Sequence, residues 1–172
     1  MKKIALAAIA FFSLGISAPV FSAALVETTG GPDTARTVFD VHGGILTGGG
    51  VTAPGFDLGI AGRILDNAPL YLGAQFGAFI SASSPSFVEI PLLAELYYQF
   101  TPSSGIHPLL GAMVGPILST GGGLSTAQFG FLLRPGFNFE LGHAAVLSLE
   151  APFGVIGSDF VVIPQIGAIF RL

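Results

Sequence analysis

Between Val88 and Phe100 every second residue is apolar. Val88, Ile90, Leu92, Ala94, Leu96, Tyr98 and Phe100 form one row, with Glu89, Glu95 and Gln99 in the other. A helix would scatter the three polar residues around its axis, whereas a strand places them on one face. The same period recurs along the chain. Phe39, Val41 and Ile45 oppose Asp40 and His42, and Phe56, Leu58, Ile60 and Ile64 oppose Asp57 and Arg63. Leu72, Ala74, Phe76, Ala78 and Ile80 oppose Gln75. Ile106, Leu110, Ala112 and Val114 oppose His107. Phe129, Phe131, Leu133, Phe137 and Phe139 oppose Gln128, Arg134 and Asn138. Leu147 and Leu149 oppose Ser148 and Glu150, and Phe160, Val162, Ile166, Ala168 and Phe170 oppose Gln165 and Arg171. These are eight strands, near the length of about 9 to 11 residues at which a tilted strand crosses a bilayer. Asp66–Pro69, 101–105 and 140–143 read as turns, and residues 47–55, 81–86, 119–124 and 152–158 as short Gly/Ser/Thr-rich loops. Pro91, Pro108, Pro116, Pro135 and Pro164 count against a regular ladder, because proline removes a donor.

Composition narrows the solvent. Only 9% of the 172 residues are charged and 51% are hydrophobic, against roughly 25% charge in an ordinary soluble domain. Zero cysteine excludes disulfides, thiolate catalysis and cysteine zinc sites. The six Lys and Arg against ten Asp and Glu leave no basic surface for nucleic acid. Lys2 and Lys3, the apolar run Ile4–Phe12 and the small residues Ser22-Ala23-Ala24 make a cleaved export signal over residues 1–24. Residues 25–36 read as a periplasmic lead and 37–172 as one barrel. Nothing after residue 24 has the run of about eighteen apolar residues that a spanning helix needs.

The polar rows point inward if the barrel lies in lipid, since a charge on the lipid face costs about 2 to 4 kcal/mol near midplane. The expected lumenal network is Asp40, His42, Asp57, Arg63, Glu89, Glu95, His107, Arg134, Glu150 and Arg171. Leu93, Leu109, Met113 and Ile117 also take inward positions and make the extracellular half less polar. With the N-terminus in the periplasm, Tyr71, Tyr97, Tyr98, Phe100, Phe137, Phe139 and Phe170 gather at the periplasmic rim as an aromatic girdle. Phe56, Phe79, Phe87, Phe153 and Phe160 gather at the other rim.

The last strand, Phe160–Leu172, and the phrase Arg134-Pro-Gly-Phe-Asn-Phe-Glu-Leu-Gly142 carry a resemblance over the whole mature length. They resemble the small eight-stranded outer-membrane β-barrel proteins of Gram-negative bacteria, of the OmpX-like and OmpA-transmembrane-domain-like kind. In that class a terminal aromatic closes the chain; here Leu172 does, with Phe170 two before it. The resemblance implies an antiparallel up-and-down transmembrane barrel, located in the outer membrane and inserted by the barrel-assembly machinery. It also implies contact with outer-membrane lipids and lipopolysaccharide, and a monomer.

Activity is less legible. The leading expectation is a non-enzymatic barrel with a structural, envelope-maintenance or weak surface-interaction role, without metal or cofactor. A small conduit for apolar solutes, a soluble lipocalin-like binder of a hydrophobic ligand and a lipid A-modifying enzyme are the alternatives. For the last, His42 with Asp40, His107 with Glu95, and Ser148 supply residue types for nucleophilic catalysis. The barrel-shaped lipid A deacylases, however, resemble one another in a late His-x-Ser-Asn segment, where this chain has His143-Ala144-Ala145-Val146. His143 reads as a solvated turn residue. The three histidines have no paired metal spacing, and Gly48–Gly50 and Gly121–Gly123 lack the Lys-Ser or Lys-Thr of a phosphate loop.

Overall fold

The computed structural model describes residues 36–81, 86–101, 105–141 and 145–172. The expected export signal, most of the lead and His143 lie outside them. Ten strands follow in order: β1 (Thr37–Gly48), β2 (Val51–Leu65), β3 (Ala68–Ser81), β4 (Phe87–Gln99), β5 (Ile106–Gly121), β6 (Leu124–Glu140), β7 (Ala145–Glu150), β8 (Phe153–Ile156), β9 (Asp159–Val162) and β10 (Gln165–Arg171). Each pairs antiparallel with its neighbours, and β10 returns to β1 through Val38↔Arg171 to Gly44↔Gln165. The sheet is therefore closed. β7 and β8 both pair with β6, and β9 and β10 both pair with β1, so each couple is one wall interrupted by a kink. Eight walls run up and down.

The kinks fall at Pro152 and Pro164, where two ladders stop side by side. Elsewhere proline interrupts less than its missing donor suggests: the β5–β6 register runs unbroken through Pro108, Pro116 and Pro135. Their carbonyls still accept. Phe100 N–H donates to Pro108 O at 2.8 Å and Ala151 N–H to Pro135 O at 3.1 Å.

Three segments read as loops are mostly strand. β1 and β2 meet in a two-residue turn at Gly49-Gly50, with φ of 57° and 79°, and β5 and β6 meet at Gly122-Gly123, with 59° and 80°. Two successive left-handed residues make the hairpin turn whose twist suits paired strands, and glycine supplies them without strain. The 152–158 segment likewise contains β8 and a turn at 157–158.

The exterior is apolar. Ile60, Phe76, Ile80, Leu110 and Phe131 all stand exposed on the wall, and their strand neighbours on the other parity are buried. A soluble barrel hides its apolar face and wets its polar one; this barrel reverses the arrangement, which only lipid satisfies. The interior is layered along the axis. At the end where the described residues begin and end, the termini end of the barrel, Val38, Ala61, Tyr71, Tyr97, Val146 and Ile169 form one apolar cluster. Toward the far end Leu46, Ala53, Phe79, Met113, Ile117 and Leu132 belong to a second. Between them lies a layer of buried charge.

Candidate functional site

Six charged residues from five walls meet in that middle layer: Asp40 and His42 on β1, Asp57 on β2, Glu95 on β4, Arg134 on β6 and Glu150 on β7. Register explains how they fit. Each stands directly across from a glycine: Asp40↔Gly59, His42↔Gly167, Asp57↔Gly77, Glu95↔Gly73, Arg134↔Gly111 and Glu150↔Gly136. A Cβ at Gly59 would sit 2.4 Å from Asp40 Oδ1, and one at Gly167 would sit 2.1 Å from His42 Cδ2. An eight-stranded barrel has only enough interior for its own side chains. The glycines make that room locally.

Arg134 is the hub. Its Nε and Nη2 donate to the two oxygens of Glu150, the second at 2.9 Å, and its Nη1 donates to Glu95 Oε2. Its guanidinium also lies 5.1 Å over the ring of Tyr97, which stacks on Tyr71 at 5.0 Å. Glu150 is further held by Ser148 Oγ–H at 2.6 Å and by Gln165 Nε2–H at 3.3 Å. On the other side of the layer His42 Nδ1 lies 3.0 Å from Asp57 Oδ1 and 3.4 Å from Asp40 Oδ1, while its Nε2 faces Glu150 Oε1 at 3.3 Å. Gln75 Nε2–H donates to Asp57 at 2.9 Å. Both oxygens of Asp40, which is fully buried, lack a hydrogen-bond partner among the described residues.

The other four expected network residues lie elsewhere. His107 and Arg171 form a separate group at the termini end around Glu140, at 3.3 Å and 3.1 Å. Glu89 is half-buried toward the far end and accepts from Ser119 Oγ–H at 3.5 Å. Arg63 keeps the parity of Tyr71, its partner across the ladder, but lies at the rim, where its guanidinium donates to the carbonyls of Leu65, Asp66 and Ala68 and clamps the β2–β3 turn.

The girdle also needs correction. Tyr98, Phe100, Phe137 and Phe170 are exposed on the wall and Phe139 is half-buried, but Tyr71 and Tyr97 are each only 4% exposed and line the lumen. Height along the strand placed them at the rim; their parity, shared with Gln75 and Glu95, places them inside. Phe79 is buried in the far cluster for the same reason. Gln75, Ser148 and Gln165 are the partners that the charged set alone missed. Their signal was the same parity, without a charge to draw notice.

The polar groups of this layer are engaged with one another. Ser148 gives its hydroxyl to Glu150, so it is not held as a nucleophile by a histidine base. The cavity lined by Asp57, Gln75, Gln165 and the far apolar cluster has a volume of about 20 Å³, room for roughly one water.

No protein-family model matches the chain, and no curated protein matches it. Solved structures do. Neisserial surface protein A (NspA) superposes with a TM-score of 0.63 at 15% identity, over 79% of this chain and 96% of that one. The N-terminal β-barrel domain of Pseudomonas aeruginosa OprF gives 0.58 at 12% identity, over 80% and 98%. The outer membrane enzyme PagL gives 0.53 at 13% identity, over 77% and 99%. This chain has the fold of the small outer-membrane β-barrels. Its apolar wall agrees with that fold and gives the same address. A surface protein and an enzyme share the architecture, so the fold does not select an activity.

Proposed function

We propose that the mature chain is a non-catalytic, non-conducting barrel that serves the outer membrane as a structural element with a weak surface-interaction role. The observation that carries this reading is the filled lumen. An apolar layer, a charged layer and a Tyr71–Tyr97 layer follow one another along the axis, and a conduit would have to displace all three. The termini end faces the periplasm. The barrel is a monomer in contact with outer-membrane lipids and lipopolysaccharide, placed there by the barrel-assembly machinery.

The interaction component rests on the β5–β6 hairpin. Residues 122–129 are exposed on both faces, with Leu124 at 75% and Phe129 at 65%. β8 pairs with β6 only from Gly130 to Leu133, so the hairpin tip stands clear of the wall.

Planar-bilayer recording of the purified mature protein tests the central claim. Membranes carrying it are expected to stay at the baseline conductance; discrete openings that scale with protein added would refute the filled lumen. Unheated and boiled gel mobility tests the membrane barrel itself, and mass spectrometry of lipid A after expression tests the absence of lipid A chemistry.

A further inference from the structure

The middle layer is not balanced by its own charges. One guanidinium, Arg134, faces four buried carboxylates: Asp40, Asp57, Glu95 and Glu150. Arg134 takes Glu95 and Glu150. Asp57 has His42 and the amide of Gln75, whereas Asp40 faces His42 Nδ1 at 3.4 Å and, among the described residues, has no hydrogen bond at either oxygen. A buried carboxylate without donors is among the most costly arrangements a protein interior can hold.

We propose that Asp40, His42 and Asp57 hold a divalent first-row transition-metal ion. Oxygen and nitrogen donors from all three converge within 4.8 Å of one another. The separations from His42 Nδ1, 3.0 Å to Asp57 and 3.4 Å to Asp40, bracket the edge of about 3.3 Å expected between ligands of a tetrahedral ion bound at about 2.0 Å. Behind the histidine stands Glu150 Oε1, 3.3 Å from Nε2. Metal-bound imidazoles commonly direct the second nitrogen's proton at a carboxylate, which fixes the tautomer and turns the other lone pair to the metal. A neutral imidazole can donate to only one of the two carboxylates flanking it, and a cation between Nδ1 and the aspartates removes that conflict. Imidazole with two carboxylates suits zinc and its neighbours better than magnesium or calcium, which prefer oxygen alone. The absence of paired histidine spacing suggested no metal. A single histidine two residues after an aspartate on one strand face, completed by a residue across the ladder, has no such spacing to find.

The geometry also sets when the ion enters. The cluster lies between two apolar layers, so it loads as the barrel closes and is retained afterwards.

The test uses the full mature chain, refolded from urea into detergent with zinc, exchanged against chelator, and analysed by inductively coupled plasma mass spectrometry. About one zinc per barrel is expected. Asp40→Asn is expected to fold, as judged by a heat-dependent gel shift, and to retain under one-tenth of that zinc. Glu140→Gln, outside the cluster, is expected to retain it fully. Zinc X-ray absorption should report one nitrogen among light-atom ligands at about 2.0 Å. A folded wild-type barrel without stoichiometric zinc would mean an imidazolium ion alone bridges the carboxylates, and would overturn the site. Equal zinc in folded Asp40→Asn and wild type would place the metal elsewhere and overturn it as well. Should Asp40→Asn fail to fold, Asp57→Asn replaces it under the same criterion. Bilayer conductance is independent of either result.

Discussion

Arg134→Met removes the hub and keeps much of its volume. Arg134 is 1% exposed, donates to both Glu95 and Glu150, and covers the ring of Tyr97. Breaking a buried pair by deleting one partner costs about 3 to 5 kcal/mol, because the remaining charges lose compensation without regaining water. The desolvated contact with the ring adds about 1 kcal/mol. We therefore predict that Arg134→Met destabilises the barrel by about 4 to 6 kcal/mol, roughly three to four powers of ten in the folding equilibrium at about 1.4 kcal/mol per tenfold. The chain has no tryptophan, so urea titration in lipid vesicles is best followed by unheated gel mobility and far-ultraviolet circular dichroism. The orphaned carboxylates carry most of the cost. Adding Glu95→Gln and Glu150→Gln to Arg134→Met should therefore restore at least about half of it, a coupling visible only if the three residues act as one unit. A loss below about 1 kcal/mol, or no recovery in the triple variant, would refute the assignment of Arg134 as the hub.

Other positions test the packing. Gly59→Ala and Gly167→Ala drive a Cβ into Asp40 and His42 and should each cost about 1 to 3 kcal/mol by overpacking. At Gly62, where the nearest atom lies 3.8 Å away, alanine should be neutral or stabilising by up to about 1 kcal/mol; equal effects at all three in urea titrations would sink the close-approach argument. Leu132→Ala, at a fully buried position in the far apolar layer, should cost about 2 to 5 kcal/mol and still leave bilayer conductance at baseline, since the charged layer remains beneath it.

Much of this was readable in the chain because lipid makes alternation strict. Outward residues such as Leu72, Phe76, Leu92 and Leu96 and inward ones such as Asp40, Glu95 and Arg134 follow parity alone. Parity also held the correct place of Tyr71 and Tyr97, which reading by height obscured. The partners within the lumen were less legible. His42 meets Asp57 because β1 and β2 pair in one register, and Glu150 because β10 closes the barrel between β1 and β7. Neither relation exists in linear sequence. Arg63 has the inward parity that the alternation gives it, yet it turns to the carbonyls of Leu65, Asp66 and Ala68 because the strand ends there in the β2–β3 turn, a boundary that parity does not mark.

Register is also where the buried charges have their largest consequence. Sliding β1 by one residue would turn Asp40 and His42 into lipid and bring Phe39 and Val41 inside. Charge on the lipid face costs up to about 2 to 4 kcal/mol per residue at midplane, less for acids than for bases. The slip would also press inward Phe39 and Val41 against walls whose glycine notches sit opposite the charged residues in the native register alone. An apolar interior would impose no such penalty, because either face of the strand would then suit lipid. We predict that replacing Asp40, His42 and Asp57 together by leucine, alanine and leucine yields chains that still enter membranes yet lose a unique β1 register. Cysteines introduced at Val41 and Leu58, which are cross-strand partners, should form a disulfide nearly completely in the native background and only partly in the apolar one. Complete crosslinking in both would mean that the turn at Gly49-Gly50 fixes the register unaided, and that the charged layer is present for another reason.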